Sequence, residues 1–440
     1  MINLSDKDKL EKIVLKNAFP VELFVGYTKE QKLKIMKSKV KNVLSGEMFR
    51  LGIRVIYKGF NGFAFTSKLD ENSLKQTISK AKKVALVKKE KTFKEFPTPV
   101  KTTQPKTLDK NLQALDLTDK ILEVKELLSL KSSKKIKGIE ATLAKNDYSG
   151  FLFNSNNISL SIDSSSFNSY FELNTFDKKP SNAFHLSFAT KLKDLNLQKD
   201  FSLATKKALR LLNPEKIPSG SYDIILPSIE FTGLIESLIT PVIATEEIMQ
   251  HKSYLQGKLG KQVFNSELSI TDNPTLDYFT STQPLDDEGT KTFKKKIFNK
   301  GVFNCQLNDL KHAVKFNEKP SGNGYRSNGF SQPTAMTSNI IVEGRKEVSY
   351  EKLVSSSKKA IVVESIMGLH TANLVSGEFS MVVSLGKLVK NGCETKTIKN
   401  ASIGGNILNF LKKDLILSKE KTFFGDSLIP AIKINDVQLV

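Results

Sequence analysis

The chain has 440 residues, 39% hydrophobic and 26% charged, with a formal net charge of +21. That length suits two to three domains of about 100–200 residues with sizeable cores. It holds no run of about 18 apolar residues to span a bilayer as a helix. The opening MINLSDKDKLEKIVLKNAF lacks the continuous apolar region of a secretory signal, so a cytoplasmic protein without membrane contact is expected.

The positive charge is nearly all lysine, since Arg50, Arg54, Arg210, Arg326 and Arg345 are the only arginines. Arginine is the preferred residue for bidentate phosphate and base contacts. A scattered lysine excess therefore reads as a solubility feature, and nucleic acid is not an expected partner. Cys305 and Cys393 are too few for a disulfide framework and lack CxxC spacing. Both are expected to be reduced.

In chain order, Asp6 to Asn17 has the spacing of an amphipathic helix. Val21 to Tyr27 and Val55 to Phe65 read as strands, the second with turns at Gly59 and Gly62. Ser67, Asp70 and Asn72 are candidate caps for a helix through Ala85. Nine lysines between Lys75 and Lys101, followed by PTPVKTTQPKT, predict an exposed connector at about 90–110. Asp116 to Leu130 resumes helical spacing. Ile139 to Phe176 reads as alternating strands with a turn at Phe153 to Asn157, where Asn157 takes the left-handed backbone. Leu195 to Leu212 forms another helix, ended by Asn213-Pro214, and a domain boundary is placed at about 215. The fold class expected is α+β: an N-terminal domain of helices and antiparallel sheet over 1–215, then a strand-rich antiparallel sheet or open barrel over 216–440. In the second half, Asn299-Lys300-Gly301 has hairpin chemistry.

A strand, a Pro227-Ser228 break and an apolar helix run from Ser219 to Met249. Phe231, Leu234, Ile235, Leu238, Ile239, Val242 and Ile243 recur at intervals of three and four, one apolar stripe. The polar side offers Thr232, Glu236, Ser237 and Thr240, none a soft metal ligand. A zinc peptidase needs nitrogen or sulfur ligands, an open coordination position and a carboxylate base. His185, His251, His312 and His370 are isolated, without HxxxH spacing. The acidic run Asp286-Asp287-Glu288-Gly289 is the sharpest polar constellation, read either as a solvated turn closed by Gly289 or as a carboxylate wall for a peptide or a partner's loop. Adjacent carboxylates raise one another's proton affinity. In GNGYR, Asn323 and Arg326 are candidate contacts, and Arg326 could hold Asp286 or Glu288 bidentately. Ser376 to Ser380 opens an alternating strand with no nucleophile elbow.

Taken with QPLDDEGT at Gln283 to Thr290, SGNGYRSNGF at Ser321 to Phe330 and MGLHTANLVSGEFSMVVSLGKLVKNG at Met367 to Gly392, the segment Ser219 to Met249 resembles the TldD/PmbA family of heterodimeric metallopeptidases. Phe49 to Leu86 is similar to the family's N-terminal pattern. In the metal-bearing subunit type, the family's helix carries HExxxH. Aligned on the Pro-Ser break and Gly233, Ser237 and Val242 fall where the histidines would be, and Leu238 where the glutamate would be. The family's C-terminal cysteine ligand also has no counterpart in KTFFGDSLIP at Lys421 to Pro430. The resemblance thus implies the non-catalytic TldE (PmbA) type of subunit. It implies no metal in this chain, zinc in a TldD-like partner forming a heterodimer or higher assembly, and a closed chamber taking unfolded or small polypeptides. Three other readings stay open: a stand-alone homodimeric binding or regulatory protein, a hydrolase whose acidic cluster binds a metal, and a nucleic-acid binder.

Overall fold

The computed structural model describes residues 4–130 and 133–439, with side chains from residue 7 onward. Six strands form the first sheet: β1 (Val21–Met36), β2 (Lys39–Tyr57), β3 (Phe60–Thr66), β4 (Ile136–Asn154), β5 (Ser159–Phe176) and β6 (Pro180–Ala189). Their order is β3-β2-β1-β4-β5-β6, every pair antiparallel. Two of these strands are longer than the sequence suggested. β1 continues nine residues past Tyr27 because Leu33 and Ile35 still alternate inward between lysines. β1 and β2 join through Lys37-Ser38, both at positive φ, the geometry of a type I′ hairpin. The stretch expected as a single strand, Val55 to Phe65, is divided by a second such turn at Lys58-Gly59.

Helices cover one face of this sheet. They are α1 (Leu4–Leu15), α2 (Glu71–Lys88), α3 (Lys110–Ala114), α4 (Ile121–Ser129) and α5 (Leu197–Arg210). Of the three candidate caps, Asp70 serves α2, accepting from the Ser73 amide at 2.8 Å. Leu74, Ile78, Ala81 and Ala85 of α2 pack on Leu23, Leu51 and Ile53. Gly62 is required there, since a Cβ would stand 2.1 Å from the Ala81 carbonyl oxygen. Toward β5, α4 and α5 cover Leu143, Phe171 and Leu173. Asn157 has φ 65, as the turn sequence predicted.

The segment between α2 and α3 has no helix or strand and is mostly exposed or half-buried, as expected of a connector, but it is pinned at two points. Phe93 and Phe96 are buried, and the Asn154 and Asn156 amides donate to the carbonyls of Pro97 and Phe96. The lysines remain outside; two aromatics three residues apart anchor the strap.

The second sheet has twelve strands: β7 (Gly220–Leu226), β8 (Leu268–Asp272), β9 (Lys295–Asn299), β10 (Val302–Phe303), β13 (Ile340–Gly344), β14 (Glu347–Val348), β15 (Lys359–Met367), β16 (Glu378–Lys390), β17 (Cys393–Ile398), β18 (Ala401–Asn406), β19 (Leu415–Phe423) and β20 (Ser427–Leu439). A separate two-stranded ribbon, β11 (Gly324–Tyr325) with β12 (Thr334–Ala335), lies between. The half is strand-rich as expected, but the sheet is mixed: β7 with β15, β13 with β20 and β14 with β19 run parallel. The long chain excursion from Leu226 to Lys359 supplies the crossover that parallel pairing needs. The hairpin of β9 and β10 turns at Lys300-Gly301, both at positive φ.

The expected helix to Met249 is broken. α6 covers Ser228–Leu238, a 3₁₀ turn Thr240–Val242, and α7 only Thr245–Met249. Pro241 explains the interruption, because its ring clashes with the carbonyl four residues back and it has no amide to donate. The apolar stripe survives the break: Phe231, Leu234, Ile235, Leu238, Ile239, Val242 and Ile243 all enter the largest core. No described helix is long and apolar enough to cross a membrane.

Candidate functional site

Two places could carry chemistry: the break after α6, and the seam where the uncovered face of the first sheet meets residues 283–326. At α6, Ser237 is half-buried while Leu238 and Val242 are 2% and 1% exposed. Their carbonyls serve the fold, the Leu238 oxygen accepting from the Tyr254 hydroxyl and the Val242 oxygen from Ser253 Oγ at 2.7 Å. The turn of Lys421 to Pro430 does approach this helix. Burial pushes both Glu236 of α6 and Asp426 of the turn above the ordinary carboxylate range, and Asp426 pushes Glu236 further. Two reluctant carboxylates and a hydroxyl at Ser237 do not make a zinc donor set of nitrogen and sulfur. Among the described residues no group of three or more His, Cys, Asp or Glu side chains could hold a metal ion.

The histidines do not converge. His312 Nδ1 lies 2.8 Å from Asp309, which holds the imidazole above its usual pKa against the opposing effect of burial. His185 stands 3.7 Å from Asp200, and His251 and His370 are exposed.

At the seam, the acidic turn is not solvated. Asp286 and Glu288 are each 1% exposed, because the first sheet packs over them. Asp286 Oδ1 accepts from the amides of Glu288 and Thr290, and Oδ2 from that of Gly324. Asp287 accepts from the Arg326 amide at 2.8 Å and from Gln283 Nε2 at 3.1 Å. Glu288 accepts from the Leu310 amide and pairs with Arg54 at 2.5 Å. Gly289 closes the turn with φ +87.

Arg326 does not pair with Asp286 or Glu288. Its guanidinium donates to Glu22 at 2.8 Å and to the Ser331 carbonyl at 2.6 Å. The partner is Glu22 because Arg54 already occupies Glu288. Arg54 itself grips Glu22 through Nε at 2.8 Å and a terminal nitrogen at 2.6 Å. Glu22 thus holds two guanidiniums, and Arg54 bridges two carboxylates. Behind Arg54 lie the strap rings, Phe93 and Phe96, at 5.2 and 5.6 Å from the guanidinium carbon. Asn323 donates to Asp272 and to the Met336 carbonyl, each at 2.9 Å, which ties the ribbon to β8.

Burial raises the pKa of Asp286 well above its usual value, with the Glu288 charge adding to it and the three amides opposing. Burial likewise raises Asp287 and Glu288. For Arg54 burial works to lower the pKa, but Glu22 and Glu288 outweigh it and the group stays protonated. The gap beside Arg54 and Glu288 is about 20 Å³, room for about one water. The five predicted residues therefore sit in one buried framework, with Asn323 in its adjoining Asp272 branch, rather than on an open wall.

Sequence reasoning did not single out Glu22. The available signal was one acid inside VELFVGY, where every residue is buried. It also passed over Arg54, although two of only five arginines meet here.

A cavity of about 300 Å³ lies between β6 and the start of α6, lined by Phe184, His185, Lys207, Ser228, Tyr350 and Phe424 among others. Lys207 pairs with Glu364 at 3.0 Å. Burial lowers Lys207 to about 8 and raises nearby Glu230 to about 6.

Residues 219–440 match the family profile described as the PmbA/TldA metallopeptidase C-terminal domain, and residues 21–85 that of PmbA/TldA metallopeptidase domain 1. An uncharacterized protein of Methanocaldococcus jannaschii is 27% identical over 420 residues, covering 94% of this chain and 95% of the relative. A metalloprotease of the same organism is 24% identical, covering 96% and 93%. Among solved structures, TldE from Thermococcus kodakarensis superposes with a TM-score of 0.87 at 19% identity, covering 99% of this chain and 100% of that one. A Thermotoga maritima protein crystallised as a candidate modulator of DNA gyrase gives 0.89 at 24% identity, covering 99% of each. At those identities the structural likenesses establish a shared fold.

Proposed function

The chain belongs to the PmbA/TldD metallopeptidase family, and from that premise we propose that it is a TldE-like, non-catalytic subunit. It assembles in the cytoplasm with a TldD-like chain that brings the zinc, as a heterodimer or higher assembly, and helps enclose a chamber for unfolded or small polypeptides. One observation carries this reading. Where the family's metal-bearing helix has its ligands and base, Leu238 and Val242 are buried apolar residues and the helix ends between them. A metallopeptidase active site cannot be assembled from that donor set. What the helix does instead is support the second sheet, through contacts that bury its stripe.

The buried clasp of Glu22, Arg54, Glu288 and Arg326 fits the same role. It locks the first sheet onto the second half, holding a rigid wall for whatever faces it. Affinity purification of this protein at its native level, with mass spectrometry and metal analysis of what accompanies it, tests the proposal. A second chain bearing HExxxH at near-equal amount, with about one zinc per pair, is the expected result. Peptidase activity from this chain purified without any other would overturn it, and so would the absence of a zinc-bearing chain from the native assembly.

A further inference from the structure

α1 and α2 both lie on the helix-covered face of the first sheet, with Leu10 and Val14 of one and Leu74 and Ile78 of the other in the same core. A groove runs between them. It consists of two adjoining hollows of about 250 and 310 Å³, which share Ile13, Lys16 and Glu71. Its floor is apolar, made by Leu10, Ile13, Phe19, Leu69, Leu74 and Ile78. Its rim is basic. Lys9, Lys12 and Lys16 are three and four residues apart, a spacing that sets them on one face of α1, and Lys75 and Lys82 of α2 stand seven apart on the other wall. The single acid among the described lining residues, Glu71, is committed to Lys75 of its own helix at 2.6 Å. The Lys82 ammonium rests over neutral rings, 5.1 Å from Phe19 and 4.5 Å from Tyr57. The acids beside the groove are also engaged elsewhere: Asp70 caps α2 through the Ser73 amide, and Glu11 accepts from the Ser159 hydroxyl. The groove therefore presents an excess of positive charge around an apolar floor.

We infer that this groove docks an acidic, amphipathic helix of another polypeptide. Both walls are helices, whose backbone groups are spent within them, so an extended strand would find nothing to pair with. An occupant has to satisfy its own amides, as a helix does. Its apolar stripe at i, i+3, i+4 and i+7 meets the floor, and its carboxylates reach the lysine row on either side. α1 has 12 residues, about 18 Å of wall, which matches about three turns of an incoming helix. Lysines scattered over a surface serve solubility, whereas here their spacing gathers five of them round one apolar floor. The groove is on the face of the first sheet opposite the clasp, and α6 contributes no residue to it. Docking there is independent of the subunit reading and of which chain supplies the zinc.

Fluorescence anisotropy of the full chain with a labelled peptide of about 14 residues, leucines at that spacing and glutamates between them, is the test. Saturable binding that weakens steeply with added salt is expected. Lys12→Glu combined with Lys16→Glu should weaken it about tenfold or more, since like charges then face each other. Lys80→Glu combined with Lys83→Glu makes the same charge change on the side of α2 away from the groove, and should leave the affinity within about twofold. All four lysines are exposed, so both variants should keep the circular dichroism spectrum of the unaltered chain. Absence of saturable binding overturns the proposal, as does equal binding of a peptide with the same residues in scrambled order. Equal losses in the two charge variants would reduce the effect to net charge and overturn it too. Phosphatidylserine vesicles that bind the chain through Lys12 and Lys16 when the peptide does not would make the groove a membrane contact instead. If a charge variant misfolds, the comparison with the scrambled peptide decides by itself.

Discussion

Glu22 sets one carboxylate against two buried guanidiniums. It accepts from Arg54 and Arg326 at 0% exposure, and Arg54 alone has a second carboxylate in Glu288. Glu22→Gln removes the charge and keeps the shape, so the expected cost is about 3–5 kcal/mol, that of breaking a buried ion pair by removing one partner. Urea unfolding followed by circular dichroism would show it as a lowered midpoint with the same slope. Glu230 makes a second residue-scale case, through pH. Burial lifts it from 4.5 to about 6 while it accepts from the Ile366 amide. A carboxyl raised in the fold contributes stability that is complete below its unfolded pKa and is lost as pH rises through the folded one. Glu230→Gln keeps the acceptor and removes the titration. Relative to that variant, the unaltered chain should lose about 2 kcal/mol at most between pH 4.5 and 7. Parallel slopes for the two proteins across that window would refute the assignment.

The break in the helix after Pro227 decides what that element can do. Its apolar stripe was readable from residue spacing, and so was the absence of any histidine between His185 and His251. The break at Leu238 was not foreseen, because the stripe continues through the 3₁₀ turn and masks the loss of helical bonding at Pro241. The consequence is testable by trying to restore the family motif. Ser237→His with Val242→His should not bind zinc at one per chain, because the two positions no longer lie on one helix. Val242→His alone should cost about 2–4 kcal/mol, since it puts an unpaired polar ring into the core. Metal analysis after dialysis, together with thermal unfolding, checks both; stoichiometric zinc would mean that the site retains the family geometry. Strand lengths were under-read for a related reason. Past Tyr27 only one face of β1 is buried, and lysines on the other face resemble a loop when read singly.

Across the whole molecule, the two sheets are joined by the clasp and by the strap that backs it. The strap was taken for solvent-exposed chain because lysine, proline and threonine dominate its composition. Composition averages over Phe93 and Phe96, whose burial against Arg54 and Ile56 holds the segment down. Phe96→Ala should therefore cost about 3–5 kcal/mol and free the strap before the sheets separate. Limited trypsin digestion is the appropriate measurement, since Lys89, Lys91, Lys94 and Lys101 flank the anchors. Faster cleavage there, with the remainder of the chain still protected, is the expected pattern. Uniform cleavage throughout would mean that the strap and the sheets unfold together.

What the sequence determined by itself is whatever depends on neighbours along the chain. Alternation and three-four spacing gave the strands and the apolar stripe, Asn157 and the Lys300-Gly301 pair gave turns, and the missing histidines removed a zinc helix whatever the alignment. Tertiary structure decided the electrostatics. Glu22 lies 304 residues from Arg326, and Arg54 lies 234 from Glu288, so no local pattern records which acid meets which base. Whether Asp286 to Glu288 is a solvated turn or a buried framework depends on what covers it. Burial sets both the cost of a charge and the worth of its partner, and burial is fixed only when the first sheet closes over the second half.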